Sequence, residues 1–400
     1  MEANQTHDLH LRIIGSRLMQ ADVNPYTYYW HKGDSYLWYD PNQSIYSSVN
    51  GVTSTPFFLW LQQPLSSLSY CNIRLIWWCI EELLLLCTIL LSIQLVQTFT
   101  RQLLLLGVIA AFFLFSRNWW LHVLNGQMYV LYAFAFAVTV WMSIHKKKHI
   151  NTWLLPLLML IRPMLLFTWL SNISFQKKKL ALLLIGLMVS GVMFITSGTL
   201  KFWKQYNAAI KVYATEAVGG YDDTLRNAEA RNGQFTTEMC LIRDKKPDFL
   251  HAGCLYSVQS YLTKLFGLQT SNTKVFAAML VVVALLLFIV TKRLNPSMQV
   301  EQGLALGILL YFVAELMAPA SRNPYVLVQW VPVVALLFAK GNKPIVILCI
   351  IGLWLNHSWL LSFKYEKEIG EIFLLLATMW FIVQPQKRHT QVYINTNDSR

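Results

Sequence analysis

Residues 145–179 read HKKKHINTWLLPLLMLIRPMLLFTWLSNISFQKKK. Two lysine triplets, Lys146-Lys147-Lys148 and Lys177-Lys178-Lys179, bracket an apolar stretch, Trp153–Leu170, with Arg162-Pro163 at its centre. Short loops rich in Lys and Arg stay on the cytoplasmic side of a membrane. A single crossing by Trp153–Leu170 would put the two triplets on opposite sides. Proline breaks a helix, and an unpaired arginine in mid-bilayer is costly unless it faces a cavity. The stretch therefore predicts two half-helices that enter the membrane and return, with Arg162 at their tip. Irregular backbone at that depth is tolerated only where it lines protein or water.

The remaining basic clusters, Lys292-Arg293, Lys340 with Lys343, and Lys387-Arg388, fall on the same side once that pair is re-entrant. Apolar segments run at about Ile73–Val96, Leu103–Phe115, Met128–Ile144, Leu180–Ile195, Val275–Thr291, Leu304–Met317, Val326–Phe338, Ile345–Leu361 and Ile369–Val383. The expectation is an all-α polytopic integral membrane protein with about nine full spans plus one re-entrant half-helix pair. Its parts would be an outer-face N-terminal segment at 1–72, a first membrane bundle at 73–198, an outer-face insertion at 199–273, and a second bundle with a cytoplasmic tail at 274–400. Residues 117–126, 319–325 and 363–368 would also face outward.

Composition agrees. The chain has 400 residues, 55% of them apolar, and a soluble protein does not gather such a share into runs of about 20 residues. The net charge of +13 is accounted for by the cytoplasmic loops, so no nucleic-acid partner is expected. Cys71, Cys79, Cys87 and Cys349 read as small hydrophobes; Cys240 and Cys254 share one outer segment and either pair or stay free. Met1 to Val23 is too polar for a cleavable signal peptide. There is no nucleotide-binding glycine loop, DxD motif, Walker sequence or metal-ligand spacing, which disfavours a nucleotide-sugar enzyme and an ATP-driven transporter. No metal or other cofactor is expected.

Several residues carry two readings each. Phe202-Trp203, Tyr206, Ile210 and Tyr213, interleaved with lysines, fit a helix on the lipid surface or a packed helix in an outer domain. Tyr26, Tyr28, Tyr29, Trp30, Tyr36, Trp38 and Tyr39, with Asp34 and Asp40, suit either a sugar platform or an interfacial aromatic belt. The same choice holds for Trp119, Trp120 and His122. Glu81-Glu82 sits in an apolar stretch beside Trp77 and Trp78, as an intramembrane functional acid or an acid near the outer headgroups. Asn125 and Gln127 are candidate caps for a helix starting near Met128, or substrate contacts.

An ordered set of short motifs adds to this. They are Asp8-Leu9-His10-Leu11-Arg12, Gly15-Ser16-Arg17-Leu18-Met19, Asn24-Pro25-Tyr26, Asn125-Gly126-Gln127, Ile161-Arg162-Pro163, and Ala318-Pro319 to Asn323-Pro324-Tyr325. In that order, between apolar runs, the set resembles glycosyltransferase family 87. The resemblance implies a GT-C fold and a polyprenol-phosphate-mannose-dependent mannosyltransferase-like enzyme. Its partners would be a polyprenyl-phosphate-sugar donor, a glycan or glycolipid acceptor, and membrane lipid. The expected place is a bacterial plasma membrane, with the active site outside. Asp8 matches the family's outer-face general base, a carboxylate that takes the proton of an acceptor hydroxyl; the simpler reading is a helix cap. The family places a membrane helix before this aspartate, whereas seven residues precede Asp8, so a longer natural N-terminus is expected.

Arg162 stands where the family usually has lysine and would hold the departing phosphate, unless it snorkels to a headgroup. Arg322 would add a second phosphate contact, while a histidine common nearby in relatives is absent. Arg12, Tyr26, Tyr29, Trp30, Asn125, Gln127 and Tyr325 complete the candidate substrate site. A secondary transporter or lipid flippase explains the broken helix and the buried charge equally well, though internal repeats, which would favour it, are not found. A non-catalytic scaffold leaves Arg162 without a purpose.

Overall fold

The computed structural model describes residues 7–40, 52–145, 151–174, 179–197, 200–217, 257–266, 268, 272–294, 298–317, 324–355 and 366–385. The readings of Arg322, of Cys240 and Cys254, and of the lysine runs at 146–149, 177–178 and 387–388 lie outside them. Among the described residues every regular element is helical, as expected.

The first half holds α1 (His7–Gln20), α2 (Pro56–Leu61), α3 (Tyr70–Gln94), α4 (Phe99–Phe115), α5 (Arg117–Asn125), α6 (Tyr129–Ile144), α7 (Asn151–Met159), α8 (Leu165–Ser174) and α9 (Lys179–Thr196). The second holds α10 (Leu200–Ala217), α11 (Val258–Phe266), α12 (Asn272–Phe288), α13 (Val300–Met317), α14 (Val331–Lys340), α15 (Lys343–Trp354) and α16 (Glu366–Val383). A 3₁₀ segment, Pro324–Trp330, leads into α14.

Among the described residues three helices are long and apolar enough to cross a membrane, at Tyr70–Gln94, Thr273–Lys292 and Val300–Met317. The number rises to five if Phe99–Phe115 with Asn118–Asn125, bent by 62°, and Leu180–Thr196 with Leu200–Val212, bent by 94°, each count as one span. Other apolar runs form shorter helices, such as Tyr129–Ile144 and Lys343–Trp354. An apolar run measures burial, while helix length is set by interruptions. Gly126 closes α5 in the left-handed region at φ 59°, and the chain leaves α14 at Gly341.

The outward faces of α3, α9 and α12 are lined by exposed Leu83, Leu86, Leu90, Leu184, Leu187, Met188, Phe276, Leu280 and Leu287. In water such a continuous apolar surface is unfavourable; in lipid it is the required solvent-facing surface. α13 differs, because its residues 302–312, Ala314 and Glu315 are buried. It packs against α6, α8, α12 and α16, so helices of both halves share one core.

α8 packs tightly on α13 along a glycine stripe. A Cβ at Gly307 would overlap Ser171 and stand 3.1 Å from Thr168 Cα. The Thr168 hydroxyl donates to Gly307 O at 3.3 Å, and the Ser171 hydroxyl donates to Gly303 O. Small residues four apart that admit a neighbouring backbone, tied by hydroxyl bonds, are the packing mode of helices in lipid. Tyr311 and Glu315 continue the same four-residue row.

α1 is buried although its composition is only weakly apolar. Its Arg17 donates from Nε to Ser66 O (2.8 Å), from Nη1 to Leu37 O (3.0 Å) and from Nη2 to Leu68 O (2.9 Å). One side chain thus fastens α1 to two loops. Arg17→Met is expected to keep the packing volume and orphan three carbonyls, costing about 3 kcal/mol or more. A clear fall of the thermal unfolding midpoint in detergent checks this, with Arg17→Lys between the two.

α10 takes the packed alternative. Phe202 and Ala209 join Leu11, Met19, Tyr26 and Leu59 in a buried cluster, and Trp203 stacks on Phe194 at 4.5 Å. The lysines at 201 and 204 stay exposed.

Candidate active site

The site starts at a helix reversal. Gly126 donates its N–H to Val123 O (3.1 Å) and Gln127 donates its N–H to His122 O (3.0 Å), which turns the chain from α5 into α6 within three residues. The left-handed φ favours glycine. So does space: a Cβ there would stand 2.8 Å from Leu9 Cβ. α1 therefore rests directly on the reversal. Arg12, one turn after Asp8, donates from Nη2 to Gly126 O and from Nε to Asp8 O, each at 2.9 Å. Its guanidinium lies 5.7 Å from the Phe58 ring and 5.8 Å from the Trp77 ring, a cation between aromatic faces.

The reversal aims Gln127 at Asp8. The Gln127 amide nitrogen donates to Asp8 Oδ2 and to the Tyr325 hydroxyl, the latter at 3.2 Å. Gln127 is therefore no helix cap. Met128 occupies that position for α6, without a side-chain cap, and Asn125 is the last residue of α5. Asp8 stands in the first turn of α1, where a negative charge is favourable.

Arg162 lies in the turn between α7 and α8, the break foreseen at Arg162-Pro163. It is not unpaired. Nε donates to Glu315 Oε1 at 2.7 Å and Nη2 donates to Oε2, a two-pronged pairing of guanidinium and carboxylate. The Glu315 side chain is 1% exposed and that of Arg162 27%. The guanidinium lies 5.6 Å from the Tyr129 ring, and Tyr129 packs on Tyr325 at 5.5 Å. Asp8, Gln127, Tyr325, Tyr129, Arg162 and Glu315 thus form one continuous chain of contacts inside the apolar bundle.

Glu315 went unnoticed in the sequence, although an acid inside the run Leu304–Met317 was a signal. In the sequence His122 and Glu81 stand 41 residues apart with nothing to link them. The structure joins them: His122 Nδ1 approaches Glu81 Oε1 at 3.2 Å with both side chains buried, although their orientation falls short of a hydrogen bond. The His122 ring stacks on Trp119 at 5.2 Å, and Nε2 accepts the Val130 N–H at 3.3 Å. Glu81 is therefore buried inside the protein, while Trp120 is 51% exposed and fits a belt.

The aromatic run divides. Tyr26 is fully buried, its hydroxyl donating to Ser54 O at 3.1 Å, so its ring is core and offers no face to a sugar. Burial pushes its phenol up from the ordinary value. Trp30 packs on Tyr36 and Tyr39 in the loop that follows, with its indole N–H donating to Ser35 O at 3.1 Å; Tyr29 is half-buried in the same loop. Asp34 accepts the Tyr28 hydroxyl at 2.6 Å and the His31 N–H at 3.0 Å, which hold its carboxyl below the usual range. Of the candidate substrate contacts, the structure brings Arg12, Gln127 and Tyr325 to Asp8.

Among the described residues no group of three or more His, Cys, Asp or Glu stands close enough to hold a metal ion. What the site offers is a half-buried carboxylate steadied by an amide, and a charge-paired guanidinium beyond two tyrosines. Comparison of the chain with protein-family models, with curated proteins and with solved structures finds no match in any of the three.

Gly126→Ala tests how the parts are held together. A methyl in the left-handed region costs roughly 1–2 kcal/mol before any clash, and Leu9 blocks its space. A lowered unfolding midpoint is expected. Gly107→Ala, in open space on α4, is expected to leave the midpoint unchanged or raise it.

Proposed function

We propose that the chain is an integral membrane glycosyltransferase. It moves a mannose-like hexose from a polyprenyl-phosphate-sugar donor to a hydroxyl of a glycan or glycolipid acceptor. The observation that carries this reading is the chain of contacts from Asp8 through Gln127, Tyr325 and Tyr129 to Arg162, assembled from distant parts of the sequence within an apolar bundle.

In this reading the acceptor oxygen attacks the anomeric carbon while its proton passes to Asp8. The bond between that carbon and the phosphate oxygen breaks, and its electron pair leaves with the phosphate. Gln127 keeps Oδ2 of Asp8 occupied, so the other carboxylate oxygen receives the proton. Arg162 faces the departing phosphate with Nη1, because Nε and Nη2 are held by Glu315. The donor enters sideways from the bilayer. The reading includes about nine spans and a re-entrant α7–α8 pair, with the site on the outer face of a bacterial plasma membrane.

The test is an assay of the purified chain in lipid nanodiscs with radiolabelled polyprenyl-phosphate sugars and crude membrane lipids. Transfer of label supports the reading. Absence of transfer to every glycan and lipid acceptor supplied would overturn it. A secondary transporter is favoured by a different observation, the two buried ionisable pairs Arg162–Glu315 and Glu81–His122. Solute uptake into proteoliposomes without any transfer would decide for it.

A further inference from the structure

In the transfer just described Glu315 only orients Arg162. Yet its carboxylate is the most buried charge of the site and holds two of the three Arg162 nitrogens. The guanidinium stays 27% exposed, and Nη1 is the nitrogen left over for a ligand. The ring nearest the guanidinium, Tyr129 at 5.6 Å, adds no formal charge at neutral pH. The pair therefore presents a directed donor with a net charge of zero.

That matters differently for the two anions of the proposed reaction. The donor is a phosphodiester with one negative charge. The leaving group is a phosphomonoester, which approaches two negative charges at neutral pH because its second pKa is about 6. Repulsion by a nearby carboxylate scales with ligand charge, so it falls about twice as heavily on the monoester.

We propose that Glu315 is a specificity-determining residue that makes the Arg162 site select a lipid phosphodiester over the corresponding lipid phosphomonoester, and so speeds release of the spent carrier. The identity of the two anions rests on the transferase reading; the charge discrimination does not.

Calorimetric titration of the full chain in nanodiscs, at pH 8, with farnesyl phosphate and with its ethyl diester measures this directly. The unaltered protein is expected to bind the diester at least as tightly as the monoester. Glu315→Gln keeps the shape and one bond from Arg162 while removing the charge. It is expected to tighten the monoester about tenfold and the diester about threefold or less, as for unit charges several ångströms apart in an intermediate dielectric. Glu315→Asp, which keeps the charge, is expected to keep the ratio of the unaltered protein.

An unaltered protein that prefers the monoester overturns the inference without any variant. So does a ratio that is the same in Glu315→Gln. Binding of neither probe removes the phosphate role of Arg162 and the inference together. The expected shift of ratio in a protein that transfers no sugar supports the inference and counts against the transferase reading alone.

Discussion

Asp8→Asn is expected to lower sugar transfer by about a thousandfold, within the range that general bases contribute. The amide is nearly isosteric, and its oxygen can accept the Gln127 amide as Oδ2 does now. Binding of the donor should therefore survive, and so should folding. What is lost is the proton acceptor. The competing role is purely local. Asp8 lies in the first turn of α1, where exchanging a carboxylate for an amide costs only about 0.3–1 kcal/mol of helix stability. On that account turnover would be untouched. Steady-state assays of the two proteins side by side, with donor binding measured separately, tell these apart. A fully active variant would end the mechanism. The search for a base would then turn to Glu81, buried against His122 at 3.2 Å.

Arg162→Ala is expected to have two effects that must be separated. It removes the cation that meets the departing phosphate, worth about a hundredfold in rate. It also leaves Glu315, 1% exposed, buried without its counter-charge, which typically costs about 3–5 kcal/mol of stability. Arg162→Lys keeps a charge but not the two-pronged geometry, and should lie between. The informative protein is the double variant Arg162→Ala/Glu315→Ala. It deletes both charges, so it should recover most of the unfolding midpoint while remaining slow. If it recovered rate as well as stability, Arg162 would be a structural partner of Glu315 and nothing more.

Much of the helical architecture was legible because it depends on local pattern. The long apolar runs point to helices, and Arg162-Pro163 points to the break between α7 and α8. The pairings inside the site were not legible. Arg162 meets Glu315 across 153 residues and Gln127 meets Asp8 across 119, and no local rule connects such positions. The motif Asn125-Gly126-Gln127 was visible, but a capping role for Gln127 was as natural from sequence as its actual bond to Asp8. Tyr26 and Trp30 looked alike in the sequence. Packing against Leu11, Met19, Leu59 and Tyr206, the last 5.6 Å from Tyr26, sets this core ring apart from the half-buried Trp30. Straight helix length is less legible than apolar length, since breaks and bends divide apolar runs into shorter helices. The row Gly303, Gly307, Tyr311 and Glu315 could have been read in advance, because a four-residue spacing defines one helix face.

The reversal at Gly126 also fixes a tolerance. Arg162 sits in the turn that enters α8, and α8 is locked to α13 by the Gly303 and Gly307 contacts. Asp8 is carried by α1, which meets the α5–α6 corner where Leu9 touches a residue that has no side chain. Reacting groups must be held to within about half an ångström of their working positions. A single methyl at residue 126 is thicker than that margin. The distance between carboxylate and cation is thus gauged by an absent atom, and every substitution at that corner acts as a shim.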